Sequence, residues 1–372
     1  VSGPIVIAGG GTGGHVFVAE AVATALCDRG VDRSDLRFIG SERGQERELL
    51  AESGIELVLL PGRGIQRSLS PSAIRANLGA VLGIVRAFLR SFSLLRQLRP
   101  AAVVSVGGYA AAPVGIAAAV LRRPLVLVNV DAVPGLTHRV LGRFSAAACV
   151  AFPGTPLENA TVTGAPVRPA FAAIDAEGSG RRLAAAGLGV EEGRHVIAVL
   201  TGSLGARSVN EAVLGLADRW RGRAVTIYHV TGRRDFADLT ARWVANVDDV
   251  IDYRQVPFEP DVPRLYQAAD VAITRAGALT VAELAMAGLP AVLIPLPGAP
   301  GDHQTLNARA LAEVGGGILM ADSEVSSGRL DEEVGALLAE PVRRAEMAQS
   351  AHGLAHVDAA GEVAEVVLSH VA

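Results

Sequence analysis

Residues Ile5-Val-Ile-Ala-Gly-Gly-Gly-Thr-Gly-Gly14 read as a buried strand, Ile5 to Ala8, that runs into a glycine loop, with a helical stretch from Phe17 to Leu26 behind it. The same grammar recurs in the second half: Val196 to Leu200 is the strand, Thr201-Gly-Ser-Leu-Gly205 the loop, and Asn210 to Leu216 starts a helix. Glycines let a backbone come close to a phosphate, and a helix start behind them supplies unpaired N–H groups and the positive end of the helix dipole. One such loop is an ordinary tight turn. Two in corresponding places point to a pair of nucleotide-type domains.

Outward from each loop, short apolar runs alternate with amphipathic helical stretches. Leu36–Ile39, Ala101–Ser105 and Pro124–Val128 read as strands in the first half. Val225–Val230, Asp249–Tyr253, Val271–Thr274 and Ala291–Ile294 do so in the second. Such alternation implies parallel sheets covered on both faces, with ligands bound at the carboxyl ends of the strands. At roughly 100–200 residues per domain, the 372 residues make room for two. The expected joint lies near Gly164-Ala-Pro166, giving domains 1–165 and 166–352. Asp175–Gly180 reads as a surface loop, and the tail 353–372, helical over Ala359–Val371, is expected to pack back on the first domain.

Composition narrows the class. Half the residues are apolar but only 4% are aromatic, so aliphatic side chains and alanine must fill both cores. The net charge of -4 speaks against a nucleic-acid partner. There is no lysine, which reads as coding bias. Cys27 and Cys149 are far apart and form neither a disulfide framework nor a metal spacing, as suits a reducing cytosol. The chain starts directly on a strand pattern, so no signal peptide is expected, and no charge-free apolar run is long enough for a transmembrane helix.

Gly9, Gly11 and Gly14 fit the weak dinucleotide pattern G-x-G-x-x-G. That pattern wants an acidic residue ending the second strand, yet this strand ends Phe38-Ile-Gly40 with Glu42 late, which disfavours NAD. His15 at the loop's end is either a general base working near neutral pH or a structural histidine capping the loop. In the second half, Arg275-Ala-Gly-Ala-Leu-Thr-Val-Ala-Glu283 follows a strand and opens a helix. Glu283 could accept both ribose hydroxyls of a nucleotide, or Thr280 and Glu283 form a capping box. Gln304 and Asn307 carry donors and acceptors suited to sugar hydroxyls, or else serve a turn and an N-cap. No Asp-x-Asp pair occurs, so backbone dipoles and arginines such as Arg168 must meet a diphosphate's charge.

Charge is unevenly spread. Between Glu56 and Asp131 there is no acidic residue but nine arginines: Arg63, Arg67, Arg75, Arg86, Arg90, Arg96, Arg99, Arg122 and Arg123. Ile74, Leu78, Val81, Val85, Phe88, Phe92 and Leu95 recur there as one apolar helical stripe. Most of that stripe reads as the core face of the helix. The arginine flank, with the loop Gly62–Ser72 and its Ile65 and Leu69, reads as a surface for an anionic membrane.

Taken together, the motifs resemble the MurG family of glycosyltransferases along nearly the whole chain. The resemblance is carried by Gly10-Gly-Thr-Gly-Gly-His-Val-Phe17, Gly107-Gly-Tyr109, Ala132-Val-Pro-Gly-Leu-Thr137 and Pro166-Val-Arg168. It continues through Gly202-Ser203, Gly205-Ala-Arg207, Ala276-Gly-Ala-Leu-Thr-Val281 with Glu283, and His303-Gln304 with Asn307. What the resemblance implies is a GT-B fold, two doubly wound Rossmann-like α/β domains facing across a cleft. It also implies an inverting, metal-independent transfer of GlcNAc from UDP-GlcNAc to a membrane lipid-pyrophosphate acceptor, lipid I to lipid II, in peptidoglycan synthesis. UDP-GlcNAc is then a substrate and no cofactor is called for. The place of work is the cytoplasmic face of the cell membrane, peripherally bound.

By the same resemblance, Arg168 and Ser203 contact the diphosphate, Glu283 the ribose, and Gln304 and Asn307 the sugar, with Gly205, Ala278, Leu279, Thr280 and His303 completing the donor set. Gly11, Thr12, Gly13, Gly14, Gly107, Gly108 and Tyr109 fall to the acceptor, with His15, Asn129 and Asp131 as catalytic candidates. The chain departs from the family where His-Glu-x-Asn is usual and Val128-Asn-Val-Asp131 stands here. Leu204 replaces a glutamine and Val18 a proline. These changes touch the acceptor side more than the donor motifs, so a related enzyme acting on another lipid-phosphate or natural-product acceptor is the alternative. A non-catalytic UDP-sugar binder is opposed by His15 and Glu283, and a UDP-sugar epimerase by the lack of a convincing carboxylate acid–base set.

Overall fold

Short runs of aliphatic residues, apolar on both faces, are satisfied only inside a parallel sheet with helices on either side. The computed structural model describes residues 3–371 other than 12, 43–45, 51–52, 62–70, 175–177 and 203–204; side chains of 49, 71–82 and 178–179 are likewise outside the description. Contacts divide the chain into two units, Val1–Arg168 with Asp358–Ala372, and Pro169–Val357.

In the first unit the strands are β1 (Ile5–Gly9), β2 (Leu36–Ser41), β3 (Glu56–Leu60), β4 (Ala102–Gly107), β5 (Leu125–Asn129), β6 (Ala147–Val150) and β7 (Ala160–Val162). They form one sheet in the order β3-β2-β1-β4-β5-β6-β7, parallel throughout. The helices α1 (Gly13–Asp28), α2 (Glu46–Leu49), α3 (Pro71–Leu98), α4 (Ala111–Val120) and α5 (Leu136–Leu141) connect them. The last helix, Ala359–Ser369, packs on α1 and meets β5 and β6, burying Val363, Ala364 and Val367. Arg29, just past α1, pairs with its Asp358 at 3.3 Å and Glu365 at 3.1 Å.

The second unit holds β8 (His195–Leu200), β9 (Val225–Val230), β10 (Asp252–Val256), β11 (Val271–Thr274), β12 (Ala291–Leu293) and β13 (Gly317–Leu319). Their order is β10-β9-β8-β11-β12-β13, again all parallel. In both sheets the order reverses beside the first strand, between β1 and β4 and between β8 and β11. A doubly wound sheet binds ligands at such a reversal, because the flanking loops there part to opposite faces.

Several boundaries differ from those read in the sequence. The helix expected at Phe17 begins at Gly13, so His15 belongs to the first turn of α1. The strand expected at Asp249–Tyr253 starts at Asp252. Asp249 is spent on a turn instead: it takes the Asn246 N–H at 2.7 Å and pairs with Arg221 at 2.6 Å. Gly178–Gly187 is a helix, so the end of the loop expected at Asp175–Gly180 is already helical. The division falls after Arg168, three residues past the expected joint, and the tail joins the first unit from Asp358. In the stripe on α3, Leu95 is buried and Phe88 and Phe92 pack against the core, but Val85 is 49% exposed. Ile74, Leu78, Val81 and Arg75 have side chains outside the described set, as do Arg63, Ile65, Arg67 and Leu69 altogether.

Trp220 is the largest fully buried side chain of the second core, and its Nε1 donates to Asp331 at 2.7 Å. Trp220→Ala should cost ~3–5 kcal/mol, the usual loss for an emptied aromatic site. Urea unfolding followed by circular dichroism should show the matching fall in midpoint, and an unchanged midpoint would contradict this account of the core.

Candidate active site

At the end of β1 the chain needs residues without Cβ atoms. Gly10 and Gly11 have φ of 138° and 99°, which L side chains rarely adopt. Across the reversal, Gly107 and Gly108 end β4 with φ of 97° and 82°. A Cβ on Gly108 would run into the Gly10 carbonyl, and one on Gly107 would lie 3.1 Å from His15 Nε2 and 3.4 Å from His138 Cε1. The two expected glycine groups thus meet back to back. Gly13 and Gly14 form the start of α1, and Thr12 lies outside the described residues. The Tyr109 ring lies 3.4 Å from where a Cβ on Gly11 would be, and its hydroxyl bonds the Ser41 hydroxyl.

His15 is partly buried in this angle. Burial holds its pKa below 6.5, and the carboxylates of Asp131 and Glu46 act in the opposite sense. It is therefore neutral at neutral pH, with carboxylate charge near enough to favour the imidazolium once a proton arrives.

Asn129 ends β5 and is 4% exposed. Its Oδ1 faces His138 Nδ1 at 3.1 Å, and its Nδ2 donates to the Asp131 carbonyl at 2.6 Å. An amide oxygen only accepts, so Nδ1 of His138 carries the proton and Nε2 accepts from the Ser105 hydroxyl at 3.2 Å. Asn129 is a buried connector that orients Asp131's backbone. The sequence reading missed Ser105, His138 and Glu46; an isolated histidine and a glutamate in a charged run give no periodic signal.

The second unit repeats the geometry. Gly205 has φ of 83°, and a Cβ there would sit 2.5 Å from the Thr231 carbonyl. The Gly205 N–H closes a turn on the Gly202 carbonyl at 3.0 Å; Ser203 and Leu204, between them, lie outside the described residues. Beneath the loop, Asn210 Nδ2 bonds the Thr231 carbonyl at 3.0 Å and Asp235 at 2.9 Å, while its Oδ1 meets His229 Nε2 at 3.0 Å. Burial drives the His229 pKa down to about 3.

Beyond β11, the helix Ala278–Ala287 is capped by Gly277 with no side-chain cap bond. Thr280 is therefore inside the helix and Glu283 a turn further on. The capping-box alternative is overturned, because that box needs Thr280 at the cap itself. The first N–H groups, at Ala278, Leu279 and Thr280, are left without a side-chain cap. Arg275 ties the base of this loop to the Ile294 and Pro295 carbonyls at 3.2 and 3.0 Å and to Asp322 at 2.7 Å.

Gln304 and His303 start the helix His303–Glu313. Gln304 Oε1 accepts the Leu296 N–H at 2.9 Å, and His303 Nδ1 donates to the Pro300 carbonyl at 2.9 Å. Asn307 is fully buried and donates to the Ala276 carbonyl at 3.3 Å, so it supports the Arg275–Gly277 turn ahead of that helix. Arg168 lies with the first unit, its guanidinium 5.0 Å from the Phe17 ring.

A separate cavity of about 490 Å³ beside Gly205 is lined by Arg207, Asn210, Glu211, Arg234, Asp235 and Asp238. Its arginines are matched to carboxylates, Arg234 to Asp235 at 2.7 Å and Arg207 to Glu211 at 3.9 Å, so it is poorly suited to a diphosphate. Among the described residues no three His, Cys, Asp or Glu side chains gather as metal ligands.

Two Rossmann-like units with these paired loops define a GT-B glycosyltransferase. Residues 5–150 match the glycosyltransferase family 28 N-terminal domain and residues 196–363 the family 28 C-terminal domain. The chain belongs to glycosyltransferase family 28. It is 39% identical over 367 residues to the UDP-N-acetylglucosamine--N-acetylmuramyl-(pentapeptide) pyrophosphoryl-undecaprenol N-acetylglucosamine transferase of Alkalilimnicola ehrlichii, covering 98% of each chain. The enzyme of the same name from Desulforudis audaxviator is 35% identical, over 98% of this chain and 97% of the relative. Among solved structures, MurG of Acinetobacter baumannii aligns with a TM-score of 0.76 at 30% identity, over 98% of this chain and 99% of that one. A UDP-GlcNAc 2-epimerase from Neisseria meningitidis aligns at 0.66 with 12% identity, over 98% and 99%, and shares the fold alone.

Burial of His138 lowers its pKa to about 4. A histidine kept neutral in the folded state costs stability as pH falls: the loss begins below 6.5, where the unfolded chain takes up a proton, and is complete below about 4. Its size is on the order of 3 kcal/mol. Asn129→Asp places a carboxylate on His138 Nδ1–H, so the His138 midpoint should rise by one unit or more, on the order of a buried ion pair. Proton NMR titration of the ring reads this, and a midpoint that stays near 4 would show that the two side chains are not coupled.

Proposed function

We propose that this protein transfers GlcNAc from UDP-GlcNAc to an N-acetylmuramyl-(pentapeptide) pyrophosphoryl-undecaprenol acceptor, at a membrane surface and without a metal. The observation that carries this is full-length similarity to enzymes of that activity, together with glycine-lined strand ends at the reversal point of both sheets. In the first unit, the N-terminus of α1 receives the acceptor's phosphates and His15 takes the proton of the attacking hydroxyl. The hydroxyl oxygen bonds to the anomeric carbon as the carbon–phosphate oxygen bond breaks, inverting that centre. UDP leaves with the electron pair.

In the second unit, the uncapped start of Ala278–Ala287 offers backbone dipoles to the diphosphate, beside the strand end that carries Gly202 and Gly205. Glu283 accepts the ribose hydroxyls and Gln304 reads the sugar, while Asn307 holds the loop they flank. Arg168, steadied on Phe17 in the first unit, is the arginine that the family resemblance assigns to the diphosphate. Asp131 steadies the imidazolium of His15 after proton transfer. In this protein the carboxylate of the loop stands at Asp131 and the amide at Asn129, and the acceptor side works with that arrangement.

Membrane docking is supported by three adjacent helices. Leu89 on α3, Val120 on α4 and Leu136 on α5 are 59%, 60% and 65% exposed, with Phe144 just beyond α5 at 54%. Arg86, Arg90, Arg122, Arg139 and Arg143 are exposed among them. Apolar side chains framed by arginines suit the boundary of an anionic bilayer. Among the described residues no helix is long and apolar enough to cross a membrane.

Transfer from radiolabelled UDP-GlcNAc to a short-chain lipid I analogue should yield the disaccharide lipid with stoichiometric UDP. UDP-GlcNAc binding without transfer to this acceptor would overturn the acceptor assignment. His15→Ala should lower kcat ~10²–10⁴-fold, the usual contribution of a general base, with UDP affinity unchanged. The acid limb of kcat/KM should lie below pH 6.5, because burial lowers the His15 pKa and protonation removes the base. A limb above 6.5 would exclude His15 as that base. Vesicle binding should need anionic lipid and weaken with salt; equal binding to neutral vesicles would remove the electrostatic part.

A further inference from the structure

Glu46 lies in a charged run, Glu42 to Glu48, and is fully buried. Its Oε1 accepts the backbone N–H of Gly11 at 2.9 Å and of Ser41 at 3.2 Å. Two glycines make room for it: a Cβ on Gly10 would strike the carboxylate, and one on Gly40 would lie 2.9 Å from its Cγ. The ends of β1 and β2 are thus shaped around one side chain. Its Oε2 is buried with no hydrogen-bond partner among the described residues.

A buried carboxylate is costly unless it is hydrogen-bonded or paired, and among the described residues only one of its oxygens is bonded. The surroundings of His15 show a use. The charges that act on His15 are the carboxylates of Asp131, in the loop after β5, and Glu46, of α2, while His138 of α5 shares the Gly107 side of the ring. β4 contributes the Ser105 hydroxyl, which is engaged with His138. On the C-terminal helix packed along α1, the N-cap residue Asp358 and Glu365 are taken by Arg29 at the other end of α1, and Glu362 is exposed and acts on Cys149. Glu46 and Asp131 are therefore the negative charges set against the imidazole, and Glu46 is the one also bonded to the glycine loop.

We propose that Glu46 is a positioning residue for the transfer: it clamps the glycine loop from within, leaves the first-turn N–H groups of α1 to the acceptor's phosphates, and fixes a negative charge beside His15. This rests on the acceptor role given above to that loop. The carboxylate occupies Gly11 N–H, so the anion seat is made by α1 itself. When His15 takes the acceptor's proton, the new positive charge meets Glu46 on one side and Asp131 on another.

Two variants separate clamp from charge. Glu46→Gln keeps an oxygen for the Gly11 and Ser41 N–H groups and loses the charge. Glu46→Asp keeps the charge and draws it back from the loop. In ligand-free protein, NMR titration of His15 should show its midpoint lowered by about half a unit or more in the glutamine variant, since a nearby carboxylate favours the charged imidazole. The aspartate variant should titrate close to the parent protein but raise the acceptor KM about tenfold, on the order of one weakened charge-assisted hydrogen bond, with the UDP-GlcNAc KM unchanged. A His15 midpoint unmoved by Glu46→Gln, or donor and acceptor KM rising equally in Glu46→Asp, would overturn the proposal. The titration needs no turnover. A shifted His15 in a protein that glycosylates no lipid acceptor would count against the proposed function and leave the charge coupling standing.

Discussion

The strand ends at the two reversal points depend on backbones coming closer than a Cβ allows. Gly108 lies against the Gly10 carbonyl, and Gly205 against the Thr231 carbonyl. Neither approach survives a side chain, and each occurs beside the reversal of strand order. Each close approach ties the chain after one strand to the end of the strand beside it. In the function proposed above, N–H dipoles already set at the helix starts need little reorganisation when a diphosphate arrives, which is what transition-state stabilisation asks of a site.

Below each loop sits a neutral histidine joined to an asparagine. In the first unit the pair is His138 and Asn129; in the second it is His229 and Asn210. Burial lowers both histidines, to about 4 and about 3. Each ring nitrogen has its own partner: Ser105 and Asn129 for one, Tyr253 and Asn210 for the other. A fully satisfied polar pair fixes one arrangement, since any shift leaves a buried donor or acceptor unmet. Small residues and neutral polar pairs thus do together what neither does alone. The glycines permit the close approach and the amide–imidazole pairs hold it.

How far the sequence foretold this depended on the strength of local signals. Val225–Val230 and Val271–Thr274 are dense in aliphatic residues and coincide with β9 and β11. Ala147–Val150 went unread because two alanines and a cysteine carry little β preference, and Ala160–Val162 because an exposed edge strand has no buried face to pattern. His15 stood out by its place after the glycines. Glu283 stood out too, but only the cap at Gly277 separates it from a capping box. Asn307 was legible as polar and not as buried; its bond to the Ala276 carbonyl joins segments far apart in sequence. Glu46 was hidden for the same reason. Its partners, Gly11 and Ser41, belong to two different strand ends, and nothing in a run of glutamates and arginines says which one turns inward.

The helix Ala359–Ser369 belongs to the unit that the chain built first, so the second unit is an insertion within the first. Synthesis is vectorial, and residues 169–357 are complete before the segment that covers α1 leaves the ribosome. During that interval the apolar flank of α1 stays bare, and Arg29 waits for Asp358 and Glu365. Closure of the first unit therefore waits until the helix Ala359–Ser369 has been made. A nascent chain stalled before Asp358 carries one finished unit and one open one, with an exposed seam for chaperones or proteases to recognise.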